Sequence, residues 1–341
     1  MELDYTDELK DICSLFADEI SKYIFKNRVM YNLFGEVEYI RNIILTNNIA
    51  SDFYKMLCEK EPVAIWGTGI RTEKFLKFYP EVKITCFIDS YKSGQIFHGM
   101  EVITLEEFIK LFSDTSIVVL PRFSYTEIVE KIERMGIDRN RILNFALVME
   151  QLYREQYFDL PAIKFDAGGG VFIDGGSFDG SDSIKFAKKT GRGVQIWEPN
   201  QEVIPQIMER MIEEGISYEL IQAGMSDKKA MVCSKGTGKK SNFRLDDARN
   251  GNILVDSVDN HLKQEVRMIK MDIEGFEYRA LLGARKTIER YHPILAICVY
   301  HKKEDIWEIP KLIYSMCKRY KFYLRHYSLF EYETVLYAIE E

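Results

Sequence analysis

The stretch VFIDGGSFDGSD, Val171 to Asp182, decides the reading of the fold. Its first four residues are a short apolar run suited to a strand buried on both faces, ending in an acid, two glycines and the polar start of a helix. Strand, glycine turn and helix in that order open a parallel α/β sheet, whose ligands bind beyond the carboxyl ends of the strands. The alternation continues downstream. The spacing predicts a helix over Ser181–Lys189, strand Val194–Trp197, helix Val203–Glu214 and strand Tyr218–Gln222. Strand Met268–Met271, helix Glu277–Tyr291, strand Ile294–Tyr300 and helix Asp305–Tyr320 follow, with a closing pair at Phe322–His326 and Thr334–Ile339. The short polar turn inside that pair favours an antiparallel hairpin, since a parallel return needs a longer crossover.

Upstream the same grammar recurs on a smaller scale. VAIW (Val63–Trp66) runs into Gly67, Thr68 and Gly69 and an amphipathic helix through Phe75, followed by strands Ile84–Asp89, Ser116–Pro121 and Arg141–Phe145 with helices between them. Residues 61–150 therefore read as a small Rossmann-like α/β domain. Before it, Leu9, Ile12, Phe16, Ile20 and Tyr23 recur at helical spacing, with Asn32, Gly35, Asn47 and Asn48 as helix ends or turns. This lead-in, residues 1–60, is expected to pack on the next domain or on a second copy of the chain as a homodimer. A helical connector over Val148–Tyr157 and a flexible glycine joint at Asp166–Gly170 precede the second α/β domain, residues 165–341. Within that domain, the Lys-, Gly-, Asn- and Asp-rich segment Lys228–Asn252 reads as an exposed insertion.

Composition narrows the function class. The 341 residues are 46% hydrophobic and 29% charged, a globular balance, and the formal charge of −7 argues against a nucleic-acid partner. The acidic start MELDYTDELKDIC is unlike a signal peptide, and no apolar run is long enough to span a membrane, so a cytoplasmic location is expected. Six cysteines without a CxxC pair indicate reduced thiols rather than a disulfide framework or zinc site.

Charge separates the two glycine loops. A dinucleotide lays its pyrophosphate over the helix start, so acids there would repel it. Asp174, Asp179 and Asp182 instead suit a cationic ligand such as the sulfonium of S-adenosylmethionine. The glycines Gly175, Gly176 and Gly180 would let the backbone approach that ligand, beside Ser177 and Phe178. Glu198, in WEPN with Pro199, stands at the next strand end, where an acid can accept both hydroxyls of a ribose. Asp227, preceded by Ser226, follows the third strand and is placed to meet an adenine amino group. Asp272 stands at the mouth of the fourth strand, with Glu274 and Glu277 beyond. In the first loop, Gly67, Gly69, Arg71 and Asp89 would suit a nucleotide or nucleotide-sugar; an emptied structural version fits the same residues, because Thr72 replaces the third glycine of the motif.

Val171–Ile339 resembles the FkbM family of S-adenosylmethionine-dependent methyltransferases. The DxGxxxG loop, the EPN segment, KMDIEGFE (Lys270–Glu277) and VYHKKEDIWEIP (Val299–Pro310) match in order. Phe178 and Asp179 depart from the residues common at those places. The resemblance implies a class I methyltransferase fold, a seven-stranded Rossmann-like sheet, and methylation of a hydroxyl on a sugar or glycan. Asp272 is then expected to orient the methyl-donor end with Glu274 nearby, and His301 to act as general base, with His326 as second candidate; a polar strand-end role fits His301 equally. Asp272 and Glu274 could hold a divalent cation, but no third ligand is identifiable from the sequence and no metal is expected. Trp307 is the aromatic residue singled out for acceptor contact. The competing readings are a nucleotide-sugar oxidoreductase using the Gly67 loop and an inactive methyltransferase-like scaffold in glycan biosynthesis.

Overall fold

The computed structural model describes residues 5–122, 124–165, 169–235, 244–246 and 251–340. The chain forms two compact units. One contains residues 34–156 and 326–332; the other contains the residues up to Leu33, 157–325 and those from Glu333. The helical lead-in is therefore divided between the units rather than being one segment.

In the first unit, a six-stranded sheet runs in the order Ile96–Phe97, Met100–Ile103, Ile84–Ile88, Val63–Trp66, Ser116–Val119, Ile142–Leu143. The pairings are parallel except for the hairpin formed by the first two. That hairpin goes beyond the expected strands; its two strands are short and partly exposed, so no apolar run marks it. Asn47 caps the helix Asn48–Glu59 by accepting from the Ile49 N–H, whereas Asn32 lies inside the helix Glu19–Phe34.

The second unit is built on seven strands: β1 (Val171–Gly175), β2 (Val194–Trp197), β3 (Tyr218–Ile221), β4 (Val266–Met271), β5 (Ile294–Cys298), β6 (Tyr320–His326) and β7 (Thr334–Glu340). Their order is β6-β7-β5-β4-β1-β2-β3, with β7 antiparallel to β5 and the pairings from β5 to β3 parallel. The sheet is the seven-stranded class I methyltransferase arrangement that the resemblance implied. Strands β1, β4 and β5 are buried almost throughout, as expected of central parallel strands.

Two local features depart from the expected pattern. The helix expected over Glu277–Tyr291 is two helices, Glu277–Gly283 and Arg285–Tyr291. At Gly283 a Cβ would lie 2.0 Å from the Ser226 carbonyl oxygen, so only glycine allows the helix to press that close. The segment expected as an exposed insertion contains parts of a small four-stranded sheet formed by Gly224–Met225, Ala230–Lys235, Arg244–Asp246 and Ile253–Asp256. Residues 236–243 and 247–250 of that insertion, and 166–168 of the glycine joint, lie outside the described residues. No disulfide joins the six cysteines. No helix among the described residues is long and apolar enough to cross a membrane.

The first part of the lead-in packs on β6. Phe16 bridges Phe322, and the Leu324 N–H donates to Ser21 Oγ at 2.9 Å. Arg325 Nη2 lies 2.7 Å from Asp18 Oδ2. Burial pushes the Asp18 carboxyl up, but the hydrogen bonds from Arg325 and Ser21 outweigh it and hold the group below its usual range. A carboxylate depressed in the folded state stabilises above its unfolded pKa, and this is lost as pH falls through the folded value. Asp18→Asn is therefore expected to lower stability by about 1 kcal/mol at pH 7. The deficit should shrink below about pH 4; thermal melts at pH 7 and pH 3.5 showing the same deficit would refute the pairing.

Candidate functional site

The register of the two central strands sets the site. Lys270 on β4 is the ladder partner of Asp174 on β1, so both side chains emerge side by side in the interior. Asp174 is 0% exposed, and Lys270 Nζ lies 3.1 Å from its Oδ1 and 3.4 Å from Asp182 Oδ2. The ammonium also donates to the Gly176 carbonyl at 2.9 Å, while Ser183 Oγ donates to Asp174 Oδ2 at 2.7 Å. Burial alone would lower the Lys270 pKa; the charges of Asp174, Asp182 and Asp272 overcome that and hold it well above its ordinary value. Burial pushes the Asp182 carboxyl up to about 6 despite Lys270.

In front of this cluster lies a cleft whose open space, including its mouth, is about 650 Å³. It is lined by Gly176 and Phe178 from the glycine loop, by Trp197 to Asn200 and Val203 after β2, by Gly224 and Met225, and by Asp272 to Glu274 after β4. Gly176 has φ +73°, and a Cβ there would lie 2.0 Å from the Asp272 carbonyl oxygen. The two loops therefore press together at a position only glycine can occupy. Phe178 and Glu274 hold left-handed conformations, φ 55° and 56°. Such conformations are costly for non-glycine residues and cluster at functional sites.

Of the residues expected at the cofactor, Gly176, Phe178, Glu198, Pro199 and Asp272 line the cleft. The others serve it from behind. Asp174 is sealed against Lys270. A Cβ at Gly175 would strike Met225 Sδ at 2.7 Å, and one at Gly180 would strike Met211 Cε at 2.7 Å, so these glycines serve protein packing rather than ligand approach. Ser226 is fully buried and donates to Asp227, which is ion-paired with Arg279 at 2.7 Å. Arg279 and Ser226 both engage Asp227 Oδ1, Asp227 is not among the cleft residues, and Gly224 and Met225 form the wall. Asp179 is likewise paired, with Arg210 at 2.9 Å. The acids lining the cleft are Glu198, Asp272 and Glu274.

Glu198 accepts from the Asn200 N–H at 2.8 Å and the Phe178 N–H at 3.2 Å, one on each oxygen. Burial pushes its carboxyl up, partly offset by those two bonds. Ser177 Oγ, buried in the glycine loop, has no hydrogen-bond partner. An orphaned hydroxyl, a fixed carboxylate and apolar walls at Trp197, Pro199, Val203 and Met225 fit a nucleoside with an apolar base and a hydroxylated sugar.

At the other end, Asp272 accepts from the Tyr300 hydroxyl at 3.1 Å and the Tyr157 hydroxyl at 3.3 Å. Burial first, then the Asp272 charge, keeps both phenols well above their usual pKa, so both remain donors. Neither tyrosine was singled out from the sequence as a partner of Asp272; Tyr157 precedes the sheet by more than ten residues, and only the fold brings it there. His301 Nε2 lies 3.4 Å from Asp272 Oδ1 and 3.7 Å from Glu274 Oε2, and Nδ1 lies 2.9 Å from Glu277 Oε1. Burial would lower the ring pKa, but Glu277, then Asp272 and Glu274, raise it to about 10. The carboxylates around His301 thus favour its protonated form, and the ring is not among the residues that line the cleft. His326 Nε2–H donates to the Phe330 carbonyl at 2.9 Å, which leaves Nδ1 as the unprotonated nitrogen of the neutral ring. Trp307 is half-buried and is not among the cleft residues.

The first glycine loop closes on itself. Thr68 N–H and O–H both donate to Asp89 Oδ2, Tyr91 N–H donates to Asp89 Oδ1, and Arg71 Nη1 donates to the Leu120 carbonyl. Gly67 and Gly69 are held there by Thr72, whose hydroxyl donates to the Gly67 carbonyl. The groups expected to meet a nucleotide thus have protein partners.

Residues 176–327 match the family model described as methyltransferase FkbM domain, and residues 59–143 match the model described as C2185-like, N-terminal. Among solved structures, the methyltransferase FkbM from Methylobacillus flagellatus KT is similar at 17% identity and TM-score 0.50, over 85% of this chain and 99% of that one. An rRNA methylase from Streptococcus thermophilus is similar at 14% identity and TM-score 0.35, over 57% and 95%. A SAM-dependent methyltransferase from Aquifex aeolicus is similar at 15% identity and TM-score 0.32, over 62% and 97%. Among curated proteins the chain has no match.

Lys270→Met is expected to cost about 3–5 kcal/mol by leaving the buried Asp174 carboxylate, and the half-buried Asp182, without their cation. Urea denaturation checks this; an unchanged midpoint would show that Asp174 and Asp182 do not depend on the ammonium.

Proposed function

From the premise that residues 176–327 are an FkbM methyltransferase domain and the chain an S-adenosylmethionine-dependent methyltransferase, we propose that it methylates a hydroxyl of a sugar or glycan-type acceptor. The observation that carries the reading is the single cleft, at the carboxyl edge of β1, β2 and β4, in which Glu198 stands at one part and Asp272 with Glu274 at another. S-Adenosylmethionine supplies the methyl group on a sulfonium that departs as a thioether. Glu198, fixed by two backbone N–H groups, offers its remaining lone pairs to the ribose diol. Trp197, Pro199, Val203 and Met225 form the apolar walls for the base. Asp272, steadied by two phenol donors, presents its charge toward the methyl-donor end.

The chain's own contribution to an in-line displacement is alignment and proton management. Glu274 replaces His301 as the proposed base. It lines the cleft with a side chain 38% exposed, so it can meet an acceptor hydroxyl, while the buried His301 side chain lies behind it. The left-handed backbone at Glu274 fixes where that carboxylate leaves the β4 loop. The hydroxyl and sugar assignment draws its support from the family resemblance and from a carboxylate base suited to an O–H acceptor.

Calorimetry on the full chain tests the cofactor reading. Saturable binding of S-adenosylmethionine or S-adenosylhomocysteine is expected, weakened about tenfold or more in Glu198→Ala through loss of charge-assisted hydrogen bonds. Binding of NAD(P)H in place of both would overturn it. For the base, Glu274→Gln is expected to keep cofactor affinity while lowering kcat by roughly 10²–10⁴-fold. Turnover with hydroxylated sugars against amine acceptors decides the acceptor class.

A further inference from the structure

Behind the cleft lies a second constellation that shares Asp272 with it. One ligand atom each from Asp272, Glu277 and His301 can be chosen so that all lie within 4.8 Å of one another. Glu277 is 0% exposed; its Oε1 accepts from the Ile273 N–H at 2.9 Å, but Oε2 has no hydrogen-bond partner. The His301 side chain is 7% exposed. Although Glu277 Oε1 is 2.9 Å from Nδ1, neither ring nitrogen meets a partner in hydrogen-bond geometry. Buried atoms of Glu277 and His301 without directed bonds thus lie beside Asp272, whose oxygens accept from the Tyr300 and Tyr157 hydroxyls. Three carboxylates, Asp272, Glu274 and Glu277, also face a single imidazole. Buried negative charge without matching cation is costly, and a bound cation would satisfy both the charge and the orphaned atoms.

We propose that Asp272, Glu277 and His301 form a site for a divalent first-row metal ion, with Mn²⁺ as the representative of the class. One imidazole, which gives up its ring proton as the ion binds, and two carboxylates form a mixed nitrogen–oxygen set suited to such ions. The other grouping of ligating side chains, Asp272 with Cys298 and Glu333, is less suited: the Tyr157 hydroxyl lies 3.4 Å from Cys298 Sγ and 3.3 Å from Asp272 Oδ2 and occupies the space between them. Asp272 belongs both to the proposed metal site and to the cleft wall. An acceptor hydroxyl coordinated there would be acidified, easing loss of its proton to Glu274. This role rests on the methyl-transfer reading above; the existence of the site does not.

The test uses full-length protein stripped with EDTA. Titration with Mn²⁺, followed by the electron paramagnetic resonance signal of free aquo-Mn²⁺ and by calorimetry, is expected to show one saturable site per chain. Affinity should fall at least tenfold in His301→Ala and in the near-isosteric Glu277→Gln, and be unchanged in Glu198→Ala. Mn²⁺ should raise the melting temperature of the native chain but not of either site variant, a readout that also reports whether each variant folds. No saturable uptake, or uptake indifferent to both variants, overturns the site. S-Adenosylhomocysteine titrated into the same samples separates the two claims: its binding without Mn²⁺ binding removes only the metal, and Mn²⁺ binding without it removes only the methyl-transfer reading.

Discussion

The second unit depends on one ammonium group. Lys270 stands on the central pair of strands with Asp174 as its ladder partner and Asp182 within 3.4 Å, and all three are drawn into the sheet edge where the ligand cleft begins. An acid at the end of a buried parallel strand would otherwise be an unpaired charge in a low-dielectric interior, which proteins do not tolerate without a partner. The same ammonium donates to the Gly176 carbonyl, tying the glycine loop to the strand beneath it. Loop position, and so the shape of the cleft, follows from this pairing.

The pairing redistributes the electrostatics of the cleft. Asp174, Asp179, Asp182 and Asp227 each have a basic partner in Lys270, Arg210 or Arg279. What remains along the wall is Glu198 at one part and Asp272 with Glu274 at another, so negative charge is confined to two places between apolar surfaces. A uniformly acidic groove would attract any cation. Two separated carboxylates instead fit a nucleoside whose ribose and charged centre are a molecule's width apart.

Much of this was legible in the chain. The apolar runs ending in acids marked the strand ends, because a buried parallel strand must be apolar and its carboxyl end is where polar groups can again meet solvent or ligand. Glu198 and Asp272 were found that way. The side-chain partners were not, since pairing depends on register and on which loop folds over which strand: nothing in AGMSD says that Arg279 reaches Asp227. The carboxylate surroundings of His301 were hidden for the same reason. Its carboxylate neighbours come from segments twenty or more residues away, and the ring's tendency to hold a proton is set by them rather than by its own surroundings in VYHK. The break at Gly283 and the short hairpin at Ile96–Ile103 also escaped, the first because it answers a distant carbonyl, the second because its strands carry no periodic apolar signal.

The sequence alone determined the alternation of strands and helices, the two α/β modules, the FkbM likeness and the acids at the strand ends, because each is written in local periodicity or in a contiguous motif. Tertiary structure alone decided which acids are neutralised, which face the cleft, and that Glu277, His301 and Asp272 meet. Those outcomes depend on distances between groups remote in the chain and on burial, which turns a charge from a solvated ornament into one that must find its counterpart.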